Sequence, residues 1–273
     1  LRDRFGFGNR GNLMAAALHG GIYIVAAWNG GRFAERRGYL TSLVVGFAGL
    51  TVCLAISSRL DSAGALLAMI VPYTIALLFV WPAVEALVTE HEPPHRIPHM
   101  IGVYNLTWST ATALAYFSGG RLYEAIGRTA VFVVPGVMFF TSLLVVFWLR
   151  PRVAAVAATL PPDVVEPAHH PDARALRQRV PPATFLQLAW IANPFAYMAM
   201  YTVLAVMPDL AVRLGLSPGR VGLFCSVWFF ARVVAFATAL VTCPPAIEIG
   251  AVAAAVSCPC AFTVNVATDE AEP

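Results

Sequence analysis

The chain of 273 residues is 59% hydrophobic and only 12% charged, whereas about 25% of the residues in a soluble domain are charged. This composition excludes an ordinary soluble protein and favours one embedded in a lipid bilayer. The net charge of +3 comes mostly from arginines that separate apolar segments, so the chain offers no continuous basic surface for nucleic acid.

Seven apolar segments are long enough to cross the hydrocarbon core of a membrane, which takes about 20 residues of helix. Because backbone groups in lipid must be bonded within their own segment, each is predicted to be an α-helix. The predicted spans lie near residues 13–33, 40–58, 64–88, 98–119, 128–149, 185–208 and 218–240.

The connection between the first two spans, residues 30–40, reads GGRFAERRGYL and gathers four charges between apolar segments. We interpret it as a tight turn. Gly31 would allow a close approach of the helix ends, and Gly38 would adopt a backbone angle that other residues avoid. Glu35 and Arg36 would form charge-assisted contacts with neighbouring helix ends. The alternative is a basic loop that only sets the topology.

Polar and charged residues within the spans are candidates for a cavity or an ion pair, because an intramembrane charge is costly. Glu85 lies so close to the end of its span that contact with the arginine loop is expected rather than solute binding. Arg232 lies about 12 Å from the end of its helix, so it either extends to the interface or lines a cavity. The candidates are His19, Glu85, Asn105, Trp108, Tyr197, Tyr201 and Arg232.

Residues 91–95 read HEPPH, the spelling of the zinc-protease motif in which two histidines on one helical face bind the metal. Pro93 and Pro94 occupy both intervening positions and are incompatible with that helical geometry. We therefore expect no enzyme activity, no metal and no cofactor, although an embedded metalloprotease stays an alternative.

A proline-rich and arginine-containing linker at 150–184 divides the chain. The octapeptide LRDRFGFG at residues 1–8 aligns with LAVRLGLS at 210–217, and a predicted span begins a few residues after each. The chain is therefore predicted to contain a first half at 1–149 and the beginning of a parallel copy at 185–240, an arrangement found in secondary transporters.

With these features, the loop at 30–40 resembles the signature loop of the major facilitator superfamily: Gly, three residues, Asp, a basic residue, one residue and Gly. Gly31, Glu35, Arg36 and Gly38 fall on this pattern, with Glu in place of Asp. The family pattern usually continues with two more basic residues, and Tyr39 and Leu40 stand in their place. The resemblance implies an all-α bundle of twelve helices in two halves, in the cytoplasmic membrane of a bacterium. It also implies alternating-access transport of a small solute, driven by a coupling ion.

The repeat predicts that the chain holds helices two to eight of those twelve and does not transport by itself. At 241–273 there is no arginine, a single aromatic residue and three of the five cysteines. A second signature loop, expected near residue 240, is absent there. We interpret this tail as frame-shifted or mis-joined, the alternative being a divergent extra span. The alternative function suggested by seven spans is a membrane receptor.

Overall fold

The computed structural model describes residues 8–90, 92–93, 96–159, 198, 202, 206–207, 210 and 213–242. Its regular elements in these ranges are long α-helices. They are α1 (Asn9–Arg37), α2 (Tyr39–Ser57), α3 (Ala63–Thr89), α4 (Ile97–Ile126), α5 (Arg128–Thr159) and α6 (Pro218–Thr242). The predicted all-α fold is confirmed.

Among the described residues, four stretches of helix are long and apolar enough to cross a membrane: α2, α3, Arg128–Val153 of α5 and Pro218–Thr238 of α6. A fifth is α1, if its two parts, which meet at an angle of 43°, form one span. Within the described residues, four of the predicted spans are thus matched by helices of spanning character, or five if α1 is one span. The predicted span at 185–208 lies almost entirely outside the described residues.

The predicted span at 98–119 forms a helix, α4, but this helix is not among those apolar enough to count as a span by composition. Its middle, from Asn105 to Thr110, carries polar and amphipathic side chains at every position except Leu106. In a membrane protein such a helix is expected to face the interior of the bundle, where its polar groups avoid lipid.

The chain divides into two compact units, and the first comprises Leu1–Leu87, Ser118–Leu160 and Leu204–Gly222. Within it, α2 packs against α1 and α5. The core of this unit is made of small and branched apolar side chains contributed by four helices. They are Ala34, Leu43, Leu50, Ala76, Val80, Ala83 and Val146.

Small residues bring α1 and α2 close to the backbone of α3, as is common where helices pack in lipid. A Cβ on Gly46 would lie 3.0 Å from the Ala76 carbonyl oxygen. The Ser42 hydroxyl donates to the Phe79 carbonyl at 2.7 Å. Pro82 lacks the amide that would bond to the Leu78 carbonyl in a regular helix, and that carbonyl oxygen abuts Gly30 of α1.

The second unit comprises Val88–Phe117, Pro161–Val203 and Leu223–Pro273. In its described part, aromatic pairs join α4 to α6. The rings of Tyr116 and Phe229 stack with centroids 4.8 Å apart, and those of Phe117 and Phe230 meet edge to face at 6.3 Å. Such pairs stabilise a helix contact by about 0.5–1.5 kcal/mol beyond the area they bury.

Candidate functional site

The charged loop is tighter than a flexible connection. Helix α1 ends at Arg37 and α2 begins at Tyr39, so Gly38 alone joins them. Its φ of +86° lies in the left-handed half of backbone space, where glycine carries little strain. Gly38 therefore has the geometry that the predicted turn requires.

The other residues of the loop motif are placed differently from what we expected. A Cβ on Gly31 would meet nothing within 4 Å, and it is the preceding residue, Gly30, that makes the close helix contact. Glu35 and Arg36 are exposed, and within the described residues neither has a hydrogen bond or ion pair. The proposed latch through Glu35 stays a prediction.

A contact near this loop was not found from the sequence. The guanidinium of Arg150, on α5, donates from Nη2 to Thr41 Oγ1 at 3.2 Å, close to the start of α2. The available signal was an arginine directly after a long apolar segment, which places a donor at the membrane surface.

His19 is held by a residue that the sequence did not indicate. Its Nδ1 lies 2.7 Å from Thr74 Oγ1, linking α1 to α3. Because the single Thr74 hydroxyl proton is donated to the Ile70 carbonyl, this hydroxyl must accept a hydrogen bond from His19 Nδ1–H. Thr74 is fully buried, so the pair fastens the two helices.

The remaining predicted candidates are Glu85, Tyr197, Tyr201 and the residues of the HEPPH segment. Glu85 is half-buried on α3, while Tyr197 and Tyr201 lie outside the described residues. Of the HEPPH segment only Glu92 and Pro93 are described, and neither is helical. In the described ranges, no group of His, Cys, Asp and Glu side chains is arranged to hold a metal.

Three of the predicted residues do come together, on the facing sides of α4 and α6 in the second unit. The guanidinium carbon of Arg232 lies 4.7 Å from the centroid of the Trp108 ring and 5.6 Å from that of Phe236. Asn105 is on the same face of α4 as Trp108, three residues earlier. Arg232 and Asn105 are 7% and 3% exposed, so both side chains are buried within the second unit.

The same face of α4 carries buried hydrogen-bonding groups that the protein leaves unused. Asn105 Nδ2 and Ser109 Oγ have no hydrogen-bond partner in the described structure. Leaving such a group unsatisfied costs about 1–3 kcal/mol, and most buried polar groups avoid that cost. Ser109 was missed in the sequence, where its spacing of four residues from Asn105 was the available signal. We call Asn105, Trp108, Ser109, Arg232 and Phe236 the buried cluster.

A second polar contact, in the first unit, was also not anticipated. Glu124, near the end of α4, accepts a hydrogen bond from the Gly219 amide at 2.8 Å, in the first turn of α6. The Gly219 amide lowers the pKa of Glu124, and the Ser217 hydroxyl and Arg121 act in the same direction. The Ser217-Pro218 pair is a typical helix start, and an acidic side chain is stabilised by the amides there.

Comparison with known proteins is in keeping with the loop motif and the helical architecture. Residues 4–268 match the family model described as Major Facilitator Superfamily. No curated protein and no solved structure gives a match.

Proposed function

Because the chain belongs to the major facilitator superfamily and is thus a multi-pass membrane transporter of small solutes, we propose that it is a secondary active transporter working by alternating access. In such a cycle the solute site opens first to one side of the membrane and then to the other. We place the protein in a bacterial cytoplasmic membrane, with an ion gradient as the driving force.

The observation that carries this proposal is the buried cluster. It combines a guanidinium, an amide and a hydroxyl that are buried where α4 and α6 face each other, and the amide and the hydroxyl are both on α4. Asn105 and Ser109 would donate hydrogen bonds to the solute, Arg232 would provide charge, and Trp108 would form an apolar wall. In the conformation described, Asn105, Ser109 and Arg232 are buried, as expected of an occluded site.

Alternating access can be tested at Ser109 without knowing the solute. The five native cysteines are replaced by serine or alanine, Ser109→Cys is introduced, and the protein is inserted into vesicles in one orientation. A charged, membrane-impermeant thiol reagent is then applied from each side in separate samples. We expect Ser109→Cys to react from both sides, because each side gains access in part of the cycle.

Val103→Cys is the matched control. Val103 lies on the same helix but is 38% exposed on the outer surface of the protein, where lipid would shield it from a charged reagent. We expect it to react from neither side. Reaction of Ser109→Cys from one side alone would contradict alternating access and would favour a receptor-like pocket.

A further inference from the structure

The chemistry of the buried cluster indicates which class of solute it binds, an inference that rests on the proposed function. The amide nitrogen of Asn105 can only donate a hydrogen bond, and the hydroxyl of Ser109 can donate one. Both atoms are buried and unpartnered in the described structure. Both groups can therefore donate a hydrogen bond to an acceptor on a ligand.

Arg232 adds a fixed positive charge to these donors. Its guanidinium stays protonated at every physiological pH and presents five N–H groups, so it can hold an anion while it also contacts aromatic rings. Residues 97–117 and 223–242, which form this part of α4 and α6, include Arg232 but no Asp or Glu. The guanidinium of Arg232 thus contributes positive charge, which favours a negatively charged ligand.

The neighbourhood of Arg232 selects among anions. A single guanidinium matches the charge and the two oxygens of a carboxylate, which it binds in a bidentate manner. Around it lie the rings of Trp108 and Phe236. Phe236 forms an apolar cluster with Ile101, against which Ile97 and Leu106 pack. This surface suits the hydrocarbon part of a solute better than the hydrated oxygens of inorganic phosphate.

We propose that the buried cluster binds a small organic monocarboxylate, with Arg232, Asn105 and Ser109 on the carboxylate and Trp108 and Phe236 against its apolar body. The alternating-access motion would open the cluster to admit it. The carboxylate would satisfy the two donors that the structure leaves unused.

The test is a binding measurement by calorimetry on the full chain in lipid nanodiscs. The probes are acetate, hexanoate and benzoate, each paired with its neutral amide, together with inorganic phosphate and benzylamine. We expect hexanoate or benzoate to bind at least roughly tenfold more tightly than its amide, because hydrogen bonds to a charged group are the stronger ones. Acetate, which lacks the apolar body, should bind more weakly than either.

Arg232→Gln should weaken carboxylate binding by roughly tenfold or more and remove the preference for acid over amide. Arg220→Gln is the matched control, since Arg220 is exposed on the same helix and its loss should leave binding unchanged. Ser109→Ala removes one hydroxyl and little volume, so it serves if Arg232→Gln fails to fold. We expect it to weaken binding several-fold.

Equal binding of every acid and its amide, or stronger binding of phosphate or benzylamine, would overturn the assignment. So would a carboxylate preference that survives both Arg232→Gln and Ser109→Ala. The accessibility of Ser109→Cys is measured without any ligand. Two-sided labelling without carboxylate binding would therefore refute this inference alone, whereas one-sided labelling would refute the proposed function.

Discussion

Adjacent glycines on α1 have opposite roles, and this difference can be measured. A Cβ on Gly30 would collide with the carbonyl oxygen of Leu78, whereas one on Gly31 would meet nothing within 4 Å. We expect Gly30→Ala to destabilise the protein by about 1–3 kcal/mol, because two backbones must move apart. Gly31→Ala should leave stability unchanged or raise it by about 0.5–1 kcal/mol through its better helix propensity.

Thermal unfolding of both variants in the same detergent provides the measurement. The two substitutions add the same methyl group to neighbouring positions, so detergent and expression effects are shared. Equal midpoints for Gly30→Ala and Gly31→Ala would show that α1 and α3 do not approach each other at Gly30.

The sequence indicated the type of residue in the buried cluster more reliably than its exact membership. Asn105, Trp108 and Arg232 were predicted because amide, indole and guanidinium groups are conspicuous in an apolar helix. Ser109 and Thr74 were not, since a helical hydroxyl can bond to its own backbone four residues earlier. Whether it does so, or faces another helix, depends on packing. The sequence likewise indicated Gly31 for the close helix contact that Gly30 makes in the structure. Adjacent residues of a helix point about 100° apart, so packing decides which of the two glycines faces the neighbouring helix.

Among whole elements, the apolar helices were predictable from the sequence, whereas the buried polar face of α4 was not. The thickness of the hydrocarbon core sets the length of α2, α3 and the spanning part of α5, so counting apolar residues located them. The same count placed α4 among ordinary spans. In the structure, however, α4 has a buried face that carries the polar residues Asn105 and Ser109. High hydropathy identifies a helix that faces lipid, because side chains in contact with lipid must be apolar. A helix inside the bundle can carry polar side chains, since they do not contact lipid.

The turn between α1 and α2 is the element on which the latch prediction depends. In the described conformation Glu35 is exposed, so any latch would form in another state of the cycle. We expect Glu35→Ala to change the ratio of labelling of Ser109→Cys from the two sides by several-fold, because one state would lose its charge-assisted contacts. Protein yield should be unaffected, since no described contact is removed.

Glu35→Asp is the matched control for this experiment. It keeps the carboxylate and supplies the residue that the family pattern has at this position, so its labelling ratio should stay close to that of the parent. If Glu35→Ala also keeps the parent ratio, the loop contributes to topology alone.

At the scale of the whole molecule, Glu124 joins segments that lie on either side of the predicted linker. It belongs to α4, while its partners Gly219 and Ser217 lie at the start of α6. Gly120 reinforces the contact, because a Cβ there would collide with the Pro218 carbonyl oxygen. If two halves of the molecule rock against each other, this junction must hold in one state and separate in the other.

The lowered pKa of Glu124 fixes the pH dependence of this junction. The carboxylate is favoured while the contact exists, so the contact is fully present above the ordinary glutamate pKa of 4.5. It is lost only as the pH falls through the lowered value. Changes of pH around neutrality should therefore leave the junction intact, and substitution is needed to break it.

We expect Glu124→Ala to raise the labelling of Ser109→Cys at neutral pH from the side of the membrane on which α6 begins. Glu124→Gln should have a smaller effect, because its amide oxygen still accepts from Gly219 but lacks the charge favoured at a helix start.

Arg128→Gln is the control. It breaks the Arg128–Asp61 ion pair of 3.1 Å, whose side chains are 42% and 68% exposed, and exposed pairs contribute only about 0–1 kcal/mol. Equal labelling of all three variants and the parent would mean that the Glu124 junction does not control access. A graded rise from Gln to Ala would identify the carboxylate as the group that holds this side closed.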